Sequence, residues 1–181
     1  MKKAVSLVVL LVLCSVAIFM FIEQRTKTTA DGVEVEMTTL QKGEVAPEIE
    51  LQTTSGEPFS LHALQNKKVV LNFWASWCPP CREEMPALQR YADQYGDAHN
   101  VEVVAVNLHA REQNKTRVDQ FIEQYRLTLT MPVDVNGEVD AAYRILTIPT
   151  TFMIDTNGRV QHEIKGPVDE AMLKEYVGKL E

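Results

Sequence analysis

The sequence predicts one α/β domain whose central sheet holds strands of both directions, and three observations predict it. Val69 to Ala75 is a nearly continuous apolar run, the mark of a strand covered by helices on both faces. A stretch of helical spacing over 79–96 and a second buried run, Val101 to Leu108, come next. That order implies a parallel pair joined by a crossover helix. Further on, Thr150 to Ile154 and Val160 to Ile164 flank Thr156-Asn157-Gly158, a hairpin turn, so this pair is antiparallel. A chain of 181 residues that is 45% apolar can build one such core, and it is too short for two.

The chain opens with Lys2 and Lys3 and then runs uncharged from Ala4 to Ile22. As a helix this segment is roughly 28 Å long, near the thickness of a bilayer's hydrocarbon layer. The lysines ahead of it favour a cytoplasmic start and export of the remainder. Residues 1–22 therefore read as an uncleaved membrane anchor. The alternatives are a cleaved signal peptide, for which Thr28-Thr29-Ala30 is a weak cleavage site, and a lipoprotein using Cys14, which Leu13 does not suit. Residues 23–43, polar and Thr-rich, read as a linker, and 44–181 as the folded domain.

Within that domain Ile49 to Leu51 and Phe59 to Leu61 flank Thr53-Thr54-Ser55-Gly56, which predicts a small antiparallel hairpin. The helix over 79–96 carries its apolar face on Met85, Leu88, Tyr91 and Tyr95 and stops at Gly96. Val118, Phe121, Ile122 and Tyr125 form a second helical stripe, Val139 to Tyr143 a short helix, and Asp169 to Leu180 a closing one.

The net charge is −7, although residues 1–30 are basic, with Lys2, Lys3, Arg25 and Lys27 against Glu23. The acidic remainder excludes nucleic acid as a partner, because a basic face supplies most of that affinity. Of three cysteines, Cys14 lies in the apolar segment, so a disulfide within an exported domain must join Cys78 and Cys81. A bridge closing so short a loop constrains little of the unfolded chain, which points to exchange rather than stapling.

The pair stands in Trp77-Cys78-Pro79-Pro80-Cys81, between the most buried strand and a helix. Cys78 at the helix N-terminus has unpaired N–H groups and the macrodipole to favour its thiolate. It attacks a client disulfide, and Cys81, about one turn on, releases the client. Pro79 and Pro80 suit a first helical turn but remove two donors, so the direction of electron flow is not readable. A zinc site needs two further ligands, and His62, His99, His109 and His162 are scattered. No metal is expected.

The segment Asn72-Phe73-Trp74-Ala75-Ser76-Trp77-Cys78-Pro79-Pro80-Cys81 resembles the active-site stretch of the thioredoxin superfamily. With Arg82-Glu83-Glu84-Met85-Pro86 it is most similar to the membrane-anchored ResA/TlpA/StoA-type thiol-disulfide oxidoreductases, and Ile148-Pro149-Thr150-Thr151-Phe152 resembles their cis-proline loop. The resemblance covers 44–181 and implies a thioredoxin-like fold: a mixed sheet flanked by helices, an N-terminal hairpin, and an insertion over 109–143 before the cis-proline. It implies that Pro149, after Ile148, faces the sulfurs and that the backbone there pairs with an extended client. Pro86 kinks the active-site helix. Trp77 is a contact surface beside Cys78, and Trp74 belongs to the core.

Thioredoxins bury a carboxylate on the central strand, and here that position is Asn72. The resemblance implies that Glu84 supplies the carboxylate instead, with a raised pKa, and carries protons to and from Cys81. The alternative for Glu84 is an acid favoured by the helix dipole. The resemblance also implies no cofactor, a location on the outer side of the cell membrane, and reduction of apocytochrome c with electrons from a CcdA-like membrane protein. Other envelope clients, such as those of spore-cortex synthesis, fit the same chemistry. A thiol peroxidase needs threonine or serine where Ala75 stands, and a copper-delivery protein uses a spacing one residue longer.

Overall fold

The computed structural model describes residues 40–181. The apolar segment 4–22 and the linker up to residue 39 lie outside the described residues. No helix among the described residues is long and apolar enough to cross a membrane.

Two short strands, β1 (Glu50–Gln52) and β2 (Pro58–Ser60), form the expected hairpin. After them come β3 (Lys68–Trp74), α1 (Pro79–Tyr95), β4 (Val101–Asn107), α2 (Thr116–Tyr125) and α3 (Glu138–Ala142). β5 (Thr150–Ile154), β6 (Val160–Lys165) and α4 (Glu170–Gly178) complete the chain. The main sheet has the order β4-β3-β5-β6, with β3 parallel to β4 and antiparallel to β5, and β5 antiparallel to β6. The mixed direction read from the sequence is the direction found.

Alternation along β3 explains why its run is continuous. Val70 and Trp74 enter the core beneath α1, with Met85, Leu88, Tyr91 and Leu173. Val69, Leu71 and Phe73 enter the opposite core, with Val104, Val106, Phe152 and Tyr143. Successive side chains of a strand face opposite sides, so a strand covered twice has no position left for a solvated residue. Asn72 lies between Val70 and Trp74 and is fully buried.

Two details go beyond the sequence reading. Segment 130–133 joins the hairpin to the main sheet: Thr130 bridges Val104, Val133 bridges Asn107, and Pro132 bridges Thr53. Pro132 has no N–H to donate, so this strip makes isolated bridges instead of a ladder. Ordered packing also starts ahead of Glu44: Leu40 is buried, and the Gly43 N–H donates to the Val160 carbonyl at 2.6 Å. Gly96 ends α1 as expected, but in right-handed conformation; a Cβ there meets the Ala92 carbonyl oxygen at 2.6 Å.

Candidate active site

The carboxyl end of β3 delivers Cys78 to the N-terminus of α1, the end of an α/β sheet where ligand-binding groups gather. Cys78 is the N-cap residue of α1 and is bonded to Cys81, with Cα atoms 5.3 Å apart. Pro79 and Pro80 have no N–H, so the Cys81 amide is the first of the helix, and it donates to Cys78 Sγ at 3.3 Å. The two prolines therefore do not strip the sulfur of donors: one remains, aimed at it. Opening the bond leaves a Cys78 thiolate facing this N–H and the positive end of α1.

The Ile148–Pro149 peptide is cis. β5 begins directly after it and pairs with β3 through Phe73 and Thr150, which brings the proline loop alongside the disulfide. The Ile148 carbonyl oxygen lies 3.7 Å from Cys78 Sγ. With the disulfide closed there is no S–H between them, and this is a contact rather than a hydrogen bond. Cys78, Cys81, Ile148 and Pro149 thus stand at one end of the sheet.

Glu84 follows Cys81 by three residues, on the same face of α1. It is 3% exposed. One carboxylate oxygen accepts from Asn72 Nδ2 at 2.8 Å and the other from the Val168 N–H at 2.8 Å. Burial pushes its pKa up to about 7, against these two donors, which favour the charged form. Asn72 Nδ2 also donates to Thr151 Oγ1 at 2.9 Å, and Asn72 Oδ1 is buried without a partner among the described residues. Asparagine on the central strand and glutamate on the helix thus share one buried polar site.

Trp77 is 38% exposed and Trp74 fully buried. The Trp74 indole N–H donates to the Ala105 carbonyl, and the Trp77 indole N–H to the Arg111 carbonyl. Residues 107–112 and Asp140 form a clamp that the sequence reading missed. Glu112 accepts from the Ser76 N–H at 2.6 Å, the Ser76 hydroxyl at 2.7 Å and Asn107 Nδ2 at 2.9 Å. Arg111 makes a two-pronged ion pair with Asp140 and donates to the Ile145 carbonyl at 2.6 Å. The insertion therefore holds the Trp77 loop with one residue and the approach to the proline loop with the next. Its one sequence signal is Asn107, a polar residue closing the apolar run of β4.

A disulfide at a strand–helix junction, faced by a cis-proline loop on a mixed sheet, defines a thioredoxin-like thiol-disulfide oxidoreductase. The comparisons with known proteins agree. The chain belongs to the AhpC/TSA family, whose model matches residues 42–163. It is 39% identical over 142 residues to the thiol-disulfide oxidoreductase ResA of Oceanobacillus iheyensis, covering 76% of this chain and 72% of that one. It is 37% identical over 126 residues to sporulation thiol-disulfide oxidoreductase A of Bacillus subtilis, covering 70% and 75%. The crystal structure of StoA from Bacillus subtilis superposes with a TM-score of 0.65 at 36% identity, covering 73% of this chain and 97% of that one.

Proposed function

We propose that this oxidoreductase works as a reductase outside the cytoplasm, held to the membrane by residues 1–22 through a linker that ends where packing begins at Leu40, a few residues ahead of the boundary at 44 expected from the sequence. Its client is apocytochrome c, whose haem-binding cysteines it keeps reduced, and a CcdA-like membrane protein returns its electrons. The observation that carries the chemistry is the Cys78–Cys81 bond with the Cys81 N–H on Cys78 Sγ. The choice of client class rests on the resemblance of the active-site segment to the ResA/TlpA/StoA-type proteins. The sporulation relative favours a second reading, in which the same exchange serves a spore-cortex or other envelope protein.

In the reduced protein the Cys78 thiolate attacks one sulfur of the client disulfide. A bond forms between Cys78 and that sulfur, and the other client sulfur leaves as a thiolate that takes up a proton. Cys81 loses its proton to Glu84 and attacks Cys78 Sγ. The client's second thiolate departs, leaving Cys78–Cys81 oxidised and the client reduced by two electrons. A dithiol donor then reverses the change in the protein. A carboxyl with a pKa near 7 suits Glu84 to accept that proton and return it. Trp77 and the half-buried Ile148 form the surface on which the client chain lies, and Pro149, itself buried, shapes the loop that carries Ile148.

The reduction potential tests the direction. At neutral pH, equilibration with a thiol–disulfide buffer is expected to give a value near or below that of thioredoxin, about −270 mV. A value near that of the oxidant DsbA, about −120 mV, contradicts the reductase reading.

A further inference from the structure

Beside the disulfide, an acidic protein presents a basic surface. A cavity of about 440 Å³ opens between the active-site loop and α2, lined by Ser76, Trp77, Arg82, Arg117, Gln120 and Phe121 among others. Arg82 follows Cys81 directly, and its guanidinium lies 5.6 Å from the centre of the Phe121 ring. Arg117 comes from α2, on the insertion. Neither guanidinium has a carboxylate partner among the described residues, although the chain carries 25 acids to 18 bases. Glu112, the acid adjoining the Ser76 wall, is already committed to Ser76 and Asn107. The other walls add the amides of glutamines, which hydrogen-bond to peptide groups without selecting a charge.

We propose that this cavity receives an acidic side chain of the client, one flanking the disulfide that Cys78 attacks. Two guanidiniums without a carboxylate partner, on different elements and lining one recess with Trp77, match a carboxylate in charge. The overall charge of −7 by itself repels such a client. The arginines reverse that repulsion locally, so discrimination by charge takes place at the loop that carries the cysteines. The inference rests on the disulfide-exchange reading.

The test uses three small disulfides on the reduced full-length chain at low ionic strength: anionic dithiodiglycolate, neutral hydroxyethyl disulfide and cationic cystamine. Each rate is divided by that of dithiothreitol with the same disulfide, which removes intrinsic reactivity. The expected order is anionic above neutral above cationic. The anionic-to-cationic ratio is expected to fall on the order of tenfold in Arg82→Gln/Arg117→Gln, and severalfold in Arg117→Gln alone. Arg117 is exposed and outside the Cys-x-x-Cys helix, so its single variant keeps the fold and leaves the cysteines' own surroundings intact. A reversed order overturns the proposal, as does a ratio that Arg117→Gln leaves unchanged. If none of the three disulfides oxidises the protein, disulfide exchange itself fails, and this inference falls with it.

Discussion

Replacing Glu84 by glutamine isolates the cost of holding a carboxylate in the core beneath the disulfide. Burial raises the Glu84 pKa from 4.5 to about 7, and the Val168 N–H and Asn72 amide recover only part of the loss. Well below the lower value the carboxyl is neutral in the folded and unfolded chain alike, and well above the upper one it is ionised in both. Between them the folded chain keeps a proton that the unfolded chain has released, so stability falls as pH rises through that window. The displacement corresponds to roughly 3 kcal/mol. Glu84→Gln cannot ionise and keeps an oxygen for the Val168 N–H. Urea titrations of both disulfide forms, from about pH 4 to about pH 8, give the difference in unfolding free energy, in which other titrating groups cancel. That difference is expected to move by roughly 3 kcal/mol in favour of the glutamine variant between pH 4.5 and about 7, then level off. A difference independent of pH refutes the elevated pKa, and with it the proton-carrying role.

Asn72→Asp sets a second carboxylate where Nδ2 now donates to Glu84 at 2.8 Å. The pair then shares one proton, and the variant is expected to be destabilised by about 3 kcal/mol at pH 8 and less at pH 5, measured by the same titrations. Glu112→Ala strands the Ser76 N–H, the Ser76 hydroxyl and Asn107 Nδ2. A loss of about 2–4 kcal/mol is expected by thermal or urea unfolding, together with a change in Trp77 fluorescence as the loop loosens.

The sequence made β3 and β4 legible because strands buried on both faces leave continuous apolar runs, β5 and β6 because Thr156-Asn157-Gly158 marks the turn between them, and α1 because its apolar face recurs at helical spacing. The disulfide was legible for a different reason: Cys78 and Cys81 are neighbours, so local chemistry alone defines them. What stayed hidden depends on contacts between distant residues. Glu112 reaches Ser76 from 36 positions away, and the Val168 N–H reaches Glu84 from 84. In sequence Glu112 sits in a polar stretch that reads as solvated, and Glu84 stands beside exposed Glu83 like any helix acid. Only the resemblance to a family, not periodicity, singled Glu84 out. Segment 130–133 escaped because Pro132 breaks the strand pattern that would have announced its place between the hairpin and β4.

The central claim is that Cys78 attacks and Cys81 resolves. The most direct measurement is the mass of the covalent product that each single-cysteine variant forms with a peptide containing one disulfide. Cys81→Ala is expected to accumulate the mixed disulfide at Cys78, since the second sulfur that releases it is gone, and Cys78→Ala is expected to form none. Accumulation on Cys78→Ala, with none on Cys81→Ala, contradicts the assignment and makes Cys81 the nucleophile.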